Sequence, residues 1–505
     1  MTLIKSAQVI DGTGRKPFRA DVLVKKDRIS AIGNFPDKKA DNVINGLGMY
    51  LAPGFIDIQS SADHYLGLFT NPAMKDFLLQ GVTTAIGGHC GSSLAPLLYG
   101  TLESIQKWSD PNLINVNWHS VREFLDVVRR RKLGINFGTL TGHSTIRRAL
   151  IGEEVRDLSP SELKVFQCLV RESLQEGSFG LSTGLGYVHS HQTPFNEVEA
   201  LAGIVAKMNG VYSTHLRDEQ KEIEAAVQET ITLTKKTGVR TLISHFHPII
   251  GFEKEYQKAF RAIESSRQSA DIHFNNYPFN TSIVPIYTLL PRWAQTGGRK
   301  IMLENLEAPD IQKRIIKEFK NLEGVDIRIS QVAHNVSFRY LIGKTLKDFA
   351  ENQGLDIPAA LIKLMRLTKM KAVVFIQNVN LDLTIQSLAS PAAMITANSA
   401  GLADNQDVLK HERFLNTFPK FLQIFRARDI LPMEEMIRKI TGEPAEMLGL
   451  RSRGVVRDGN FADLVLFSVA SDNQFNIENV FVNGVQVIKN REFLGLAAGK
   501  VLSKK

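Results

Sequence analysis

Residues 210–247 read GVYSTHLRDEQKEIEAAVQETITLTKKTGVRTLISHFH. The run opens on a β-like segment, 211–216, crosses a polar loop and an amphipathic helical stretch, and returns to a second β-like segment, 241–246. Strands joined by a helix are parallel neighbours rather than a hairpin. The same pattern recurs on both sides, with further candidate strands at 55–60, 83–89, 135–143, 177–184, 271–279 and 394–399. Eight strand–helix units predict an α/β chain folded as a closed (β/α)8 TIM barrel, whose chemistry sits on the loops at the strand C-terminal ends. An open doubly wound sheet would want a glycine-rich phosphate fingerprint after its first strand, and none is there.

The ends of the chain have a different texture. The first fifty residues alternate short β-like runs with turns, and FADLVLF (461–467) and VFVNGVQVI (480–488) repeat that texture near the C-terminus. This predicts a small β-sandwich domain built from both termini, residues 1–52 plus 450–505, around a barrel of residues 53–449. The gap between the seventh and eighth strands exceeds a normal crossover and contains helix-like stretches, so a helical insertion is expected at about 283–393. Insertions near a barrel mouth serve as lids or as padding.

Composition narrows the class. The chain has 505 residues, 43% of them apolar and 22% charged, enough to bury a large core. Two cysteines, Cys90 and Cys168, argue against a disulfide framework. No secretory leader and no apolar run of bilayer length is found, so a cytoplasmic location without membrane contact is expected. The net charge of +9 would suit an anionic partner. Its basic residues are nevertheless scattered and lack interleaved aromatics, which argues against nucleic acid.

Three soft or borderline ligands end barrel strands: Cys90 after the second, His215 on the fifth and His245 on the sixth. One thiolate and two imidazoles form a zinc set that leaves a fourth position open. His247, two residues beyond His245, faces the same way if the strand continues. It is a candidate proton carrier, with Asp63 as the second choice. His64, His89, His189 and His191 read as polar lining of the mouth.

These residues lie in stretches that resemble the D-aminoacylase, or N-acyl-D-amino-acid deacylase, family of the amidohydrolase superfamily: APGFID (52–57), GVTTAIGGHCGSSLAPL (81–97), LTGHSTIRRAL (140–150), GSFGLSTGLGY (177–187), GVYSTHLRDE (210–219) and KHERFLNTFPKFL (410–422). The similarity runs on through residues 441–467 and 480–488. It implies a zinc-dependent hydrolase of linear amide C–N bonds, in which Cys90, His215 and His245 hold the tight metal. It also implies that Arg413 pairs with the substrate carboxylate and that Tyr187 and Tyr277 contact the scissile group. The family's His-x-His on the first strand is replaced by Gln59-Ser60-Ser61, and its eighth-strand aspartate by Asn398. Half of a two-metal site is therefore missing, and one Zn2+ per chain is expected. The rival expectation is a catalytically impaired protein that binds a small carboxylate ligand without hydrolysing it.

Overall fold

The computed structural model describes residues 1–99, 102–319, 324–332, 336–404 and 408–504. The eight barrel strands are Phe55–Asp57, Val82–Gly87, Asn136–Thr139 (resuming at Thr141–Gly142), Gly180–Gly184, Val211–His215, Arg240–Ile243, Ile272–Asn276 and Ala393–Ile395. Every neighbouring pair joined by a ladder is parallel. The helix between the fifth and sixth strands, Ile223–Thr237, shows why the units form. It buries Ile223, Ala226, Val227, Thr230 and Ile231 at helical spacing, and it stops at Gly238, whose φ of 68° suits glycine far better than residues with a Cβ.

Between the first and eighth strands polar side chains take the place of a ladder. The Thr396 hydroxyl donates to Asp57 Oδ1 at 2.5 Å and also lies 2.6 Å from the Gln59 carbonyl oxygen, while the Ser61 N–H donates to the Ser399 carbonyl at 2.9 Å. This seam fixes where the first and eighth strands present their ends, and so positions Gln59, Ser61 and Asn398.

Strands from both ends of the chain join one nine-stranded sheet, in which Tyr50–Pro53 pairs antiparallel with Leu464–Val469. Period-two alternation decides what each face covers. Leu464 and Leu466 pack with Ile4, Val9 and Leu51 in a core of the sheet's own. Val465 and Phe467 point the other way, into the cluster that holds Phe418, Phe421 and Phe425 of the helix that follows the eighth strand, Arg413–Ala427.

The segment 283–393, expected to be a helical insertion, is mixed. Its helices, Pro309–Glu318 and Ile357–Leu367 among them, pack on a three-stranded antiparallel sheet of Thr281–Pro285, Val373–Gln377 and Ile327–Gln331. Short β-branched runs such as VVFIQ are outweighed in the sequence by the longer helical stretches around them. The insertion has its own apolar core, and Val284, Thr288 and Ile376 from it line the cavity over the barrel mouth. Residues 320–323 and 333–335 of this segment lie outside the described residues. Among the described residues no helix is long and apolar enough to cross a membrane.

Candidate metal centre

The barrel strands deliver their end residues to one cavity of about 410 Å³. Cys90, His215 and His245 meet there, with one ligand atom from each within 4.8 Å of the others. Cys90 Sγ lies 3.4 Å from His245 Nε2, about the edge of a tetrahedron with metal–ligand bonds of ~2.0–2.3 Å. His215 Nδ1 is buried and has no hydrogen-bond partner among the described residues, the state of a nitrogen that a metal would satisfy. Burial pushes the Cys90 thiol pKa up, but the neighbouring His245 and His215 pull it down further, well below the ordinary thiol range. The donor set therefore fits zinc.

Backbone strain marks the same place. Cys90, His245 and Asn398 have φ of 52°, 37° and 43°. Left-handed geometry in residues with a Cβ costs about 1–3 kcal/mol each and persists where the surroundings enforce it. At His245 the enforcement is visible, since its N–H donates to Asn275 Oδ1 at 2.8 Å.

One residue of the centre escaped the sequence reading. Glu219, four residues beyond His215 on the loop, stands 2.9 Å from His245 Nδ1 and 3.6 Å from His215 Nε2. Burial raises its carboxyl pKa, yet the charges of His215 and His245, the contact with His245 and the proximity of His247 lower it to about 2. A carboxylate on the far nitrogen of a ligand histidine fixes the ring's tautomer and raises its basicity. Glu219→Gln should weaken zinc binding by about 10- to 100-fold, which competition with a chelator of known affinity can measure. An unchanged affinity would sink that role.

The positions of the missing second half hold a neutral network. Gln59 Nε2 donates to Cys90 Sγ at 3.7 Å, and Gln59 Oε1 accepts from Asn275 Nδ2 at 2.8 Å. The Ser61 hydroxyl donates to Asn398 Oδ1. No carboxylate or imidazole lies in this group.

The remaining expected residues divide. His247, Tyr187, Tyr277, Arg413 and Asn398 line the cavity. Arg413 is buried, donates from Nη1 to the Tyr277 hydroxyl at 2.7 Å, and keeps Nε without a partner among the described residues. Asp63 does not line the cavity. Its Oδ2 accepts the Gly88 N–H at 2.6 Å, so the carboxylate braces the turn that carries Cys90 instead of entering the cavity as a proton carrier. His64 reaches the cavity wall but lies 3.0 Å from the Ser92 carbonyl oxygen, and His89 lies 3.1 Å from the Ser213 hydroxyl. Both read as braces.

Comparison with known proteins adds to this geometry. No family model matches the chain. It is 29% identical to the D-aminoacylase of Alcaligenes xylosoxydans xylosoxydans over 99% of this chain and 97% of that protein. It is 28% identical to the N-acyl-D-aspartate deacylase of the same organism, over 99% and 94%. A D-aminoacylase structure described in terms of a binuclear metal centre, one-metal activation and second-metal attenuation is similar at a TM-score of 0.83 and 26% identity, covering 100% of this chain and 99% of that one. The N-acyl-D-glutamate deacylase of Bordetella bronchiseptica, complexed with zinc and a phosphonate mimic of the tetrahedral intermediate, is similar at 0.83 and 25%, with the same coverage.

Proposed function

We propose that this chain, similar to the D-aminoacylases along nearly its whole length, hydrolyses the amide C–N bond of N-acyl-D-amino acids, a bond outside peptides, with a single zinc ion held by Cys90, His215 and His245. The observation that carries the single-metal reading is the Gln59–Asn275 and Ser61–Asn398 hydrogen bonding, which fills the second half of the site with neutral groups. A related D-aminoacylase for which one metal activates and a second attenuates is in keeping with it. Zinc bound there would supply Lewis-acid polarisation of the scissile carbonyl and of a water molecule.

The chain's own residues do the rest. Arg413 holds the substrate carboxylate through a guanidinium suited to paired hydrogen bonds. Tyr277 steadies that guanidinium, and Tyr187 forms the opposite wall beside His215, their rings 4.9 Å apart. His247 lies between the two halves, its ring 5.8 Å from His245 and 4.6 Å from Tyr277. That is where the departing amine of a substrate anchored on Arg413 comes to rest. The buried His247 Nδ1 has no partner among the described residues and is the atom we assign to proton transfer. Asn398 cannot accept a proton as a carboxylate does. For the chain's organisation we assign residues 1–52 and 450–505 to one unit and 53–449 to the barrel, supported by the ladder between the two ends.

The test is metal content together with hydrolysis of an N-acyl-D-amino acid and its L isomer by the purified protein. About one zinc per chain and turnover of the D isomer are expected; two zincs after reconstitution, or no turnover of any N-acyl-D-amino acid, would overturn the reading. Two substitutions then move activity in opposite directions. Asn398→Asp should raise kcat, by up to about 100-fold, the low end of what a positioned general base supplies. His247→Ala should lower it by about 100-fold at unchanged zinc content. Equal kcat in His247→Ala and wild type would reassign the proton carrier. The non-hydrolysing rival has no specific observation in its favour.

A further inference from the structure

A second cavity, of about 240 Å³, backs onto the first and shares Gln295 with it. Three nitrogen donors line it without acceptors among the described residues: Lys107 Nζ, Arg148 Nη1 and His189 Nε2. Each atom is buried, and Lys107 and His189 as whole residues are only 9% and 7% exposed. The histidine's proton can be placed by elimination. Arg148 Nη2 lies 2.9 Å from His189 Nδ1, and a guanidinium has only donors, so Nδ1 accepts and the proton sits on Nε2. Arg148 has already given Nε to Glu153, at 2.6 Å, which leaves Nη1 facing the cavity. Lys107 Nζ stands 3.3 Å from the centroid of the Tyr187 ring, a cation–π contact that accepts none of its N–H bonds directionally. Arg299 adds a third cation to the lining, against Glu103 and Glu153.

Buried donors are nearly always satisfied, and leaving a charged one without an acceptor is costly. Three in one cavity, carried by a loop and by the helices His143–Ile151 and Val188–His191, describe an incomplete set of hydrogen bonds whose missing member is an acceptor with several oxygens and negative charge. We propose that this cavity is a binding site for a small oxyanion, a carboxylate or a phosphate, held by Lys107, Arg148 and His189 behind Tyr187 and separate from the hydrolytic centre. The lysine's state agrees. Burial and then the nearby Arg148 pull its pKa down to about 7, against the pull of Cys90 and Glu153, so an arriving anion would hold it charged.

The experiment uses the full-length, zinc-loaded protein, with inorganic phosphate and acetate as probes and sodium chloride at matched ionic strength as the control. Calorimetric titration and thermal melting read binding. Wild type should bind phosphate or acetate and melt higher in it than in chloride; preference for phosphate marks a tetrahedral oxyanion, and preference for acetate a carboxylate. Lys107→Met removes an unpaired buried charge while keeping the volume, so it should melt no lower than wild type in chloride and bind the probe about 10- to 100-fold more weakly. Arg148→Met, in which Glu153 loses its partner, is the second variant and should lose binding in the same way. The proposal fails if neither probe stabilises wild type beyond chloride, or if both variants bind the probe as wild type does.

Discussion

Cys90→Ala is expected to leave the purified protein without stoichiometric zinc and to reduce hydrolysis of an N-acyl-D-amino acid by at least about 1,000-fold. The sulfur is the one anionic donor among the three proposed ligands, and the two imidazoles that remain form an incomplete set for zinc. Lewis-acid stabilisation by a metal contributes several kcal/mol to the transition state, and about 1.4 kcal/mol is a factor of ten in rate. The fold should survive. Cys90 is small, its hydrogen-bond neighbour Gln59 keeps Asn275, and the turn that carries it is braced by Asp63 and Gly88. The strained φ at position 90 is retained by alanine at no greater cost than by cysteine. Elemental analysis, circular dichroism and the hydrolysis assay separate loss of metal from loss of fold. A folded Cys90→Ala protein with a full zinc complement and undiminished turnover would remove the sulfur from the mechanism.

Arg413→Met is the second large effect, and it falls on binding. Truncating one partner of a buried, hydrogen-bonded charge pair costs about 2–5 kcal/mol, so kcat/KM should fall by about 30- to several-thousand-fold. Zinc content should not change, because Arg413 is bonded to Tyr277 rather than to any of the three ligands. Nor should stability suffer. The guanidinium is buried with Nε unpartnered, and the Tyr277 hydroxyl, which donates to the Thr281 carbonyl at 3.3 Å, keeps a partner when the arginine is gone. The change should appear mainly in KM if the carboxylate contact is the same in ground and transition states, and in kcat as well if it orients the amide. An inhibitor lacking the carboxylate provides the control, and it should bind both proteins alike. Equal kcat/KM for Arg413→Met and wild type would show that the carboxylate is held elsewhere.

Cys90, His215 and His245 were legible because a parallel barrel converts position along the chain into position around a mouth. A residue that ends a strand ends up in the cavity, and the strand pattern alone locates it. Glu219 was not legible for the complementary reason. It lies on a loop shaped by Asp218, whose Oδ1 accepts the N–H groups of Gln220 and Glu222 at 2.8 and 3.0 Å. That local turn returns the next carboxylate toward His245, and no periodicity announces it. Asp63 failed on the same ground in reverse, since a residue just past a strand can turn either into the mouth or behind its neighbour. The Gly88 N–H drew it behind. Lys107 and Arg148 carry no sequence signal at all: buried and solvated cations look alike until the cavity around them is built. The strands of the insertion, five residues each, were outweighed by helical stretches twice as long.

The sheet that joins the two ends of the chain sets an order of events during synthesis. Tyr50–Pro53 leaves the ribosome some 410 residues before the strand it pairs with antiparallel, Leu464–Val469. At about 5–20 residues per second that interval lasts roughly 20–80 s. Throughout it the N-terminal strands expose an unpaired edge, and Leu51 has no cover from Leu464 and Leu466. The nascent chain therefore carries an aggregation-prone β-edge until Leu464–Val469 emerges to cover it.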